Sequence, residues 1–321
     1  MTAVYSLGEI RAALTQLDPV AIMESAFVAY SAGRVAVPPV GEMIFSDPPG
    51  EIHIKYGYEI GAEHAIVKVV SGFYENVRSA LPTRSGVVLV ISQKTGVVEA
   101  ILLDEGDLTD VRTAAAGAVA ARYLAPKNIT TIGVLGSGIQ AKLQVTALAT
   151  QVPCRNLIVW SRNAAHAQGY AAQMAALGYN VQIASEPRQV AECAELIITA
   201  TASCTPLLQG DWIRSGTHIT AMGSDTPDKQ ELDADVLGRA DIVVVDSLDH
   251  SRTRGEVARA VASGTLLMSR VSELGQVIRQ PQLQRQNDSQ VSVADLTGIA
   301  AQDIALASAI LAGLPRQTAA L

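Results

Sequence analysis

The chain has 321 residues, 49% of them hydrophobic and 4% aromatic, and a formal net charge of −7. This length allows two domains with a sizeable core each, and a negative charge without any basic block argues against nucleic acid or an anionic membrane as a standing partner. The three cysteines lack metal-ligand spacing, no apolar stretch reaches the length of a membrane span, and the amino terminus lacks a secretion-type pattern, so we expect a cytoplasmic protein without a metal site.

The first part of the chain predicts helices followed by an antiparallel sheet. Residues 7–33 carry apolar residues at helical spacing, and Asp18-Pro19 predicts the start of a second helix within them. Four apolar segments then predict strands, at 53–60, 65–70, 85–91 and 96–103. Their short connections, including the S-Q-K-T-G turn between the last two, indicate antiparallel pairing. An Ala-rich helix is predicted over 112–125.

Strands and helices alternate from residue 130 onward. The strands are predicted at 131–135, 156–160, 181–184, 195–200, 217–222 and 241–246. Such alternation implies right-handed crossovers and a doubly wound parallel sheet. After these strands, residues 295–311 predict a loop and an amphipathic helix that packs back on the first domain. The predicted fold class is therefore α/β, with a Rossmann domain over residues 126–294 and a second α+β domain, containing the antiparallel sheet, formed by residues 1–125 and 295–321.

A glycine motif follows the first of these strands, in T-I-G-V-L-G-S-G-I-Q-A-K-L at residues 131–143. Gly136 is expected to make the tight turn, Gly138 to let the backbone approach a pyrophosphate, and Ala141 to allow close packing of the next helix. The backbone N–H groups at the helix start would bind the phosphates. The predicted dinucleotide cradle consists of Gly136, Ser137, Gly138, Ile139 and Gln140. A glycine-rich turn used only for packing is the alternative.

The end of the second Rossmann strand indicates which nicotinamide cofactor fits. NAD-specific sites place an acid there to accept a hydrogen bond from the ribose. Here the strand ends W-S-R-N at 160–163, and no Asp or Glu occurs between Asp110 and Glu186. Arg162 could instead bind a 2′-phosphate, with Ser161 and Asn163 donating hydrogen bonds. This pattern favours NADP(H), with use of NAD also possible, and a solvated loop arginine is the alternative.

Several blocks, taken together and in order, resemble the ornithine cyclodeaminase/mu-crystallin family. They are L-L-D-E-G-D-L-T-D-V-R-T-A-A-A-G, G-V-L-G-S-G-I-Q-A, M-G-S-D-T-P-D-K-Q-E-L-D, V-K-V-V-S-G-F-Y-E-N and V-V-V-D-S. The resemblance implies a substrate and dimerisation domain built from the two chain ends, a Rossmann domain between them, chemistry in the cleft, and a homodimer. It implies an NAD(P)-dependent oxidoreductase that interconverts a small α-amino acid or cyclic amine carboxylate with its imine or oxo acid.

Two other functions stay open at this point. One is a cyclodeaminase that uses tightly held NAD catalytically and releases ammonia from ornithine. The other is a cofactor-binding protein without significant turnover, as some relatives in the lens suggest. The resemblance fixes the chemistry more closely than the substrate.

The resemblance also assigns residues that would hold the substrate carboxylate. Arg112, in T-D-V-R-T-A at the start of the predicted helix, matches the family arginine that binds the carboxylate, and Thr113 beside it is expected near the cofactor. An interdomain salt bridge is the alternative for Arg112. Lys68 lies in an apolar strand, where burial is costly and would lower its pKa. It matches the family lysine that contacts the carboxylate or relays a proton.

Asp225, in M-G-S-D-T-P, follows the fifth Rossmann strand at the edge where open α/β sheets bind their ligands. It matches the family's catalytic aspartate, which would handle the proton of the amine or activate water. A helix cap or a turn former is the alternative. The nearby Asp228 and Glu231 are expected to be solvated loop or helix-start charges.

Two positions depart from the ornithine cyclodeaminase pattern. Val40, in V-P-P-V, stands where those enzymes carry a carboxylate-binding arginine, and Lys55 stands where they carry an acid near the distal amine of the substrate. A lysine at ~4 Å from an ammonium costs about 4 kcal/mol at an effective dielectric constant near 20, which disfavours ornithine. Lys55 could replace the missing arginine or bind a second carboxylate. A surface lysine on an edge strand is the alternative, and His53 is expected to be structural.

Overall fold

A computed structural model of the chain describes residues 2–315, apart from the side chain of Tyr74. Internal contacts divide the chain into two compact units. Unit 1 comprises the residues up to Arg112 and those from Ile299 onward, and unit 2 comprises Thr113–Gly298. The outermost parts of the predicted first domain, residue 1 and residues 316–321, lie outside the described residues.

The strands and helices follow each other in a regular order. The strands are β1 (Ala3–Tyr5), β2 (Val35–Ala36), β3 (Gly41–Ser46), β4 (Pro49–Glu59), β5 (His64–Gly72), β6 (Arg84–Ser92), β7 (Val98–Leu102), β8 (Ile132–Leu135), β9 (Asn156–Trp160), β10 (Asn180–Ile183), β11 (Leu196–Thr199), β12 (His218–Ala221), β13 (Ile242–Val245), β14 (Val271–Glu273) and β15 (Ser292–Asp295). The α-helices are α1 (Leu7–Leu14), α2 (Pro19–Ser31), α3 (Asp107–Leu124), α4 (Ile139–Leu148), α5 (Ala164–Ala176), α6 (Pro187–Cys193), α7 (Ala234–Arg239), α8 (Gly255–Ala262), α9 (Leu274–Arg279) and α10 (Ala300–Gly313).

Unit 1 is built on a mixed sheet in the order β1-β7-β6-β5-β4-β2, with β3 paired to β4. The pairs are antiparallel except for β1 with β7, which is parallel. The four predicted strands are confirmed as β4 to β7. The strands β1, β2 and β3 were not predicted, because the first two have only three and two residues and β3 lacks an alternating pattern.

Helices pack on this sheet and close the core of unit 1. The predicted start of α2 is confirmed, since the Asp18 carboxylate accepts hydrogen bonds from the backbone N–H groups of Val20 and Ala21 at 3.0 and 3.2 Å, and Pro19 opens the helix. Helix α10 packs against α2 and against β4 and β5. This packing places the end of the described chain in the same unit as its beginning, as expected for the helix after residue 295.

Helix α3 begins at Asp107, five residues before the predicted start at residue 112. Arg112 therefore lies in the second turn of the helix and not at its beginning. The preceding acidic residues in D-E-G-D-L-T-D obscure the helical periodicity, although Asp107 and Asp110 favour a first helical turn through the helix dipole.

Unit 2 contains a parallel sheet of eight strands in the order β10-β9-β8-β11-β12-β15-β13-β14. The six predicted strands and the doubly wound parallel fold are confirmed. Strands β14 and β15 were not predicted, and β15 lies between β12 and β13 although it comes last in the chain. The strand order reverses between β8 and β11, and open α/β sheets bind ligands outside the carboxyl ends of the strands at such a point.

Within the described residues, no helix has both the length and the apolar character needed to cross a membrane.

Candidate functional site

The glycine motif turns the chain from β8 into α4. Gly136 has φ +118°, and a Cβ atom there would lie 2.5 Å from the carbonyl oxygen of Ala200, so both the backbone conformation and the close approach require glycine. Gly138 is the N-cap of α4 and makes no side-chain capping bond. Open space surrounds the position of its absent Cβ. The first-turn N–H groups of α4 therefore face a region that phosphate groups can enter.

A cavity of about 380 Å³ lies beside this turn. It is bounded by the glycine motif, the end of β9 and the loop after β11. Its lining residues are Gly136, Ser137, Gly138, Trp160, Ser161, Arg162, Asn163, His166, Ala200, Thr201, Ala202, Ser203 and Leu207. No aspartate or glutamate is among these lining residues, so no carboxylate of the described lining opposes a phosphate.

Six of the nine sequence-predicted cofactor residues line this cavity, and three do not. Ile139 is exposed at the start of α4, with Gln140 next to it in the same turn. Thr113 lies in α3, where its carbonyl oxygen accepts a hydrogen bond from Nε2 of Gln144 at 2.9 Å. The cavity therefore favours a cofactor-binding role for the two glycines, Ser137 and the residues at the end of β9 more directly than for Ile139, Gln140 and Thr113.

The end of β9 combines a cation with a helix start. Ser137 Oγ donates to Ser161 Oγ at 2.9 Å, which links the glycine motif to this strand end. Arg162 is exposed on the cavity wall. Asn163 caps α5, because its Oδ1 accepts hydrogen bonds from the N–H groups of Ala165 and His166, at 2.9 and 3.3 Å. Because its side-chain oxygen binds the helix N–H groups, the amide nitrogen is the side-chain group that can donate to a ligand.

A cluster of buried charges lies in unit 1. Lys68 on β5 is 1% exposed, and its Nζ lies 2.8 Å from Oδ1 of Asp303 and 3.1 Å from Oγ1 of Thr109. Nε of Arg112 lies 3.5 Å from the same Asp303 oxygen, and Nη1 of Arg112 donates to Oε1 of Gln302 at 3.1 Å. The two cations predicted to hold a carboxylate thus share one carboxylate from α10.

The ionisation of this cluster depends on all of its members. Burial lowers the pKa of Lys68, the Arg112 charge lowers it further, and Asp303 opposes both. Burial by itself raises the pKa of Asp303, but the charges of Lys68, Arg112 and Lys55 outweigh it and leave that pKa below its ordinary value. Asp303 Oδ2 and Arg112 Nε are both buried without a hydrogen-bond partner among the described residues. Removing one member of such a cluster typically costs about 3–5 kcal/mol.

Lys55 lies directly opposite Lys68 in the β4–β5 register, so both side chains belong to the same face of the sheet. The interpretation of Lys55 as a surface lysine on an edge strand is wrong, because β4 has neighbours on both sides and Lys55 is partly buried. His53, two residues earlier, lies 3.6 Å from Glu42 and 3.3 Å from Glu51, in keeping with a structural role.

Asp225 lies four residues beyond the end of β12, at the carboxyl edge of the parallel sheet. Its Oδ1 lies 2.7 Å from Nζ of Lys229, and its side chain is 46% exposed. The carboxylate is therefore oriented by a cation and open to solvent. Asp228 is exposed, as expected.

The expectation that Glu231 is a solvated charge is wrong, because this side chain is completely buried. Its carboxylate accepts hydrogen bonds from Thr199, Thr201 and Gly223. The polar stretch D-K-Q-E around it resembles an exposed loop, and nothing local in the sequence reveals the donors that converge on it. Asp303 was missed as well, although it is the one charged residue of α10 and thus carried a detectable signal.

Two further carboxyl groups, those of Glu256 and Asp295, are buried near Glu231. Glu256 accepts hydrogen bonds from the N–H groups of Glu231 and Leu232, at 2.7 and 3.2 Å, and Asp295 accepts one from Val257 at 2.8 Å. Burial, reinforced by the Asp295 charge, raises the pKa of Glu256 to about 9. Burial likewise raises the pKa of Asp295 to about 7. Within the described residues, no group of three or more His, Cys, Asp or Glu side chains is arranged to hold a metal ion.

Known proteins are similar to this chain in sequence and in fold. The pattern of the ornithine cyclodeaminase/mu-crystallin family matches residues 1–314. An iminosuccinate reductase of Paracoccus denitrificans is 34% identical over 260 residues, which cover 80% of each chain.

Solved structures match over nearly the whole chain. The Δ1-pyrroline-2-carboxylate reductase of Thermococcus litoralis, in complex with NADH and L-proline, superimposes with a TM-score of 0.89 at 26% identity and covers 97% of both chains. An archaeal alanine dehydrogenase, described as a dimer with bound NAD, superimposes with a TM-score of 0.87 at 28% identity and covers 97% of this chain and 95% of its own.

Replacement of Glu256 by Gln should change how stability depends on pH. The folded pKa of Glu256 lies above its ordinary value of 4.5, so its contribution is complete below pH 4.5 and is lost as pH rises toward about 9. One excess proton in the folded state lowers the free energy of unfolding by about 1.4 kcal/mol per pH unit. We therefore expect the loss of stability between pH 6 and about 8.5 to be smaller in E256Q, measured by denaturant unfolding.

Glu195→Gln is the control for this measurement. Donors from Thr130 and Thr131 outweigh the effect of burial and hold the pKa of Glu195 below its ordinary value, so its titration is complete below that range. E195Q should keep the pH slope of the parent chain. An unchanged slope in E256Q would contradict the buried, protonated state of Glu256.

Proposed function

The chain belongs to the ornithine cyclodeaminase/mu-crystallin family, and from this premise we propose that it is an NAD(P)(H)-dependent oxidoreductase that interconverts a small α-amino acid or cyclic amine carboxylate with its imine or oxo acid. The proposal rests on one observation, namely that the chain carries an element suited to a dinucleotide and another suited to a carboxylate. Unit 2 offers a glycine turn and a cavity for a dinucleotide, and unit 1 offers two buried cations for a carboxylate.

The cofactor fits the groups that unit 2 presents. The open N–H groups at the start of α4 and the space at Gly138 suit a diphosphate. When bound, the nicotinamide supplies or accepts the hydride of the reaction. The loop after β11 and the end of β9 line the rest of the cavity and would bind the ribose and adenine groups.

The substrate fits the charges of unit 1. Lys68 and Arg112 would neutralise the substrate carboxylate, and the guanidinium can do so with two parallel hydrogen bonds. Asp303 favours the charged form of Lys68 and holds both cations in place, since burial at 1% exposure lowers the pKa of the lysine and the aspartate opposes this effect. Lys55 adds positive charge on the same sheet face and would disfavour a substrate with a distal ammonium group.

Asp225 is the proposed acid and base. Its exposed carboxylate would take the proton from the substrate nitrogen during oxidation and return it during reduction, and Lys229 would orient it. In a hydrolytic half-reaction it would activate the water that attacks the imine carbon.

Substitution of Asp225 by Asn should abolish turnover and leave the nucleotide site intact. The amide keeps the shape of the side chain but cannot accept a proton, a role typically responsible for a factor of about 10² to 10⁴ in rate. The measurement is the absorbance of reduced nicotinamide with a panel of cyclic imino carboxylates and of 2-oxo acids with ammonia, together with a nucleotide titration. Asp228→Asn, which changes an exposed acid in the same loop, should behave like the parent chain.

The same panel distinguishes the competing functions. Turnover retained by D225N would remove Asp225 from the mechanism. Ammonia and proline formed from ornithine, without net reduction of the cofactor, would identify a cyclodeaminase. Nucleotide binding without turnover of any substrate would identify a binding protein.

We further propose a preference for NADP(H) over NAD(H). Arg162 on the cavity wall and the N-terminus of α5 both favour a phosphate, and the described cavity lining contains no acid to bind the ribose 2′-hydroxyl. A guanidinium fits a 2′-phosphate better than it fits a neutral hydroxyl.

Substitution of Arg162 by Ala should weaken NADPH binding and leave NADH binding nearly unchanged. A hydrogen bond to a charged group contributes about 1.5–3 kcal/mol, so the Kd for NADPH should rise by roughly 10- to 100-fold. Nucleotide fluorescence titrations measure both constants. Arg188→Ala serves as the control, because Arg188 pairs with Glu192 away from the described cavity lining. Equal losses for both nucleotides in R162A would refute the preference.

A homodimer is also proposed, formed through the face of β3. Two alternate apolar side chains of this strand are exposed, Met43 at 44% and Phe45 at 40%. The β3–β4 register places them on the same face of the sheet as Tyr56 and Tyr58 of the neighbouring β4, which are exposed as well. Contiguous exposed apolar surface of this kind is typical of protein interfaces. A second copy of the chain is the proposed occupant, in keeping with the archaeal alanine dehydrogenase described as a dimer.

Substitution of Met43 by Lys should convert the dimer into a monomer, because each interface would then bury an unpaired charge. Light scattering coupled to size-exclusion chromatography gives the mass. Leu267→Lys places the same charge at a 67% exposed apolar residue of unit 2 and should leave the mass unchanged. A dimer that persists in M43K would exclude this face.

A further inference from the structure

We propose that Glu231 is a positioning residue that joins the loop lining the nucleotide cavity to the segment that carries Asp225, so that both move as one body. The inference rests on the proposed function, which makes the cavity a nucleotide site and Asp225 the proton-handling group. Glu231 itself does not line the described cavity.

The carboxylate of Glu231 joins two separate backbone segments, one after β11 and one after β12. Its Oε2 accepts hydrogen bonds from Oγ1 of Thr199 at 2.6 Å and from the N–H group of Gly223 at 2.9 Å. Its Oε1 accepts hydrogen bonds from the N–H group and from Oγ1 of Thr201, at 2.6 and 2.7 Å. One buried side chain therefore binds the end of β11, the loop after it and the loop after β12.

The Thr201 side of this junction leads to the nucleotide. Thr201 lines the cavity, and the carbonyl oxygen of its neighbour Ala200 lies 2.5 Å from the position that a Cβ of Gly136 would take. The N–H group of Ala200 also donates to the carbonyl oxygen of Leu135 at 2.9 Å. A shift of Thr201 would therefore disturb the glycine turn that is proposed to bind the diphosphate.

The Gly223 side leads to Asp225. A Cβ at Gly223 would lie 2.1 Å from the carbonyl oxygen of Thr201 and 2.5 Å from the carboxyl carbon of Glu231, so the two loops are in direct contact there. Asp225 follows two residues later. Its partner Lys229 accepts, through its carbonyl oxygen, a hydrogen bond from Ser224 Oγ at 2.7 Å. The segment from Gly223 to Lys229 is thus bonded internally, and Glu231 anchors its first residue.

The backbone of Glu231 is held as firmly as its side chain. Its N–H group donates to Glu256, and its carbonyl oxygen accepts hydrogen bonds from the N–H groups of Leu207 and Leu208, at 2.7 and 3.2 Å. The carboxylate therefore has a fixed position from which to hold both loops.

The chemistry of the junction requires a carboxylate and not an amide. Two of the four donors are backbone N–H groups, which cannot accept a hydrogen bond in return. An amide nitrogen at either position would face a donor, and a buried donor without an acceptor is costly. Glu231→Gln therefore keeps the size of the side chain and breaks the junction.

The test compares E231Q with E195Q. Glu195 also accepts hydrogen bonds from backbone N–H groups, those of Thr130 and Thr131, but it is 23% exposed and pairs with Arg214, outside the described cavity lining. In E231Q we expect faster amide hydrogen exchange at Thr201 and Gly223 and a roughly tenfold higher Kd for the nucleotide. We also expect kcat to decrease by a larger factor than KM changes. E195Q should retain all five values even where it lowers thermal stability.

Thr199→Val covers the case in which E231Q does not fold. It removes one donor from Glu231 and leaves the shape of the site, so exchange at Gly223 should be faster than in the parent chain. Exchange at Thr201 and Gly223 that is no faster in these variants than in E195Q would overturn the inference. The exchange measurement needs no ligand, so it tests the junction even if the parent chain binds no nucleotide or shows no turnover, results that would instead refute the proposed function.

Discussion

The buried ion cluster of Lys68, Arg112 and Asp303 sets a constraint on which much of unit 1 depends. A lysine that is 1% exposed is stable as a cation only beside an opposite charge, and the aspartate that supplies it is 3% exposed itself. These residues come from β5, α3 and α10, which are far apart in the chain. The ion pairs can form only if α10 returns to the sheet of unit 1, so the burial of one charge is tied to the topology of the whole unit.

Unit 2 meets the same constraint with different partners. Glu231 is completely buried, and backbone N–H and hydroxyl groups, not cations, satisfy its carboxylate. Glu256 is buried behind it, where burial raises its pKa to about 9 and favours the neutral form. A carboxylate held by donors binds loop ends to each other, whereas the cations of unit 1 are proposed to hold a substrate carboxylate. Under that proposal the two units use buried charge for two purposes, rigidity and recognition.

Local sequence patterns predicted most strands of both units. Six strands of unit 2 and four of unit 1 were predicted, because a strand buried on both faces reads as an apolar run and a hairpin carries its turn residues. Gly136 was recognisable from the spacing of the glycine motif after an apolar strand, and the structure shows why no side chain is tolerated there. The strand β15 escaped prediction because it has four residues and its neighbours β12 and β13 lie elsewhere in the chain.

The sequence by itself determined the fold class, the family, the glycine turn and the burial cost of Lys68, since each of these follows from the order and spacing of neighbouring residues. Only the tertiary structure decided which carboxylates are buried and what they bind. Glu231 and Asp228 stand three residues apart in one polar loop, and one is completely buried while the other is exposed. The difference arises from donors that lie on other strands, and a hydrogen bond between distant segments leaves no mark in the residues around it.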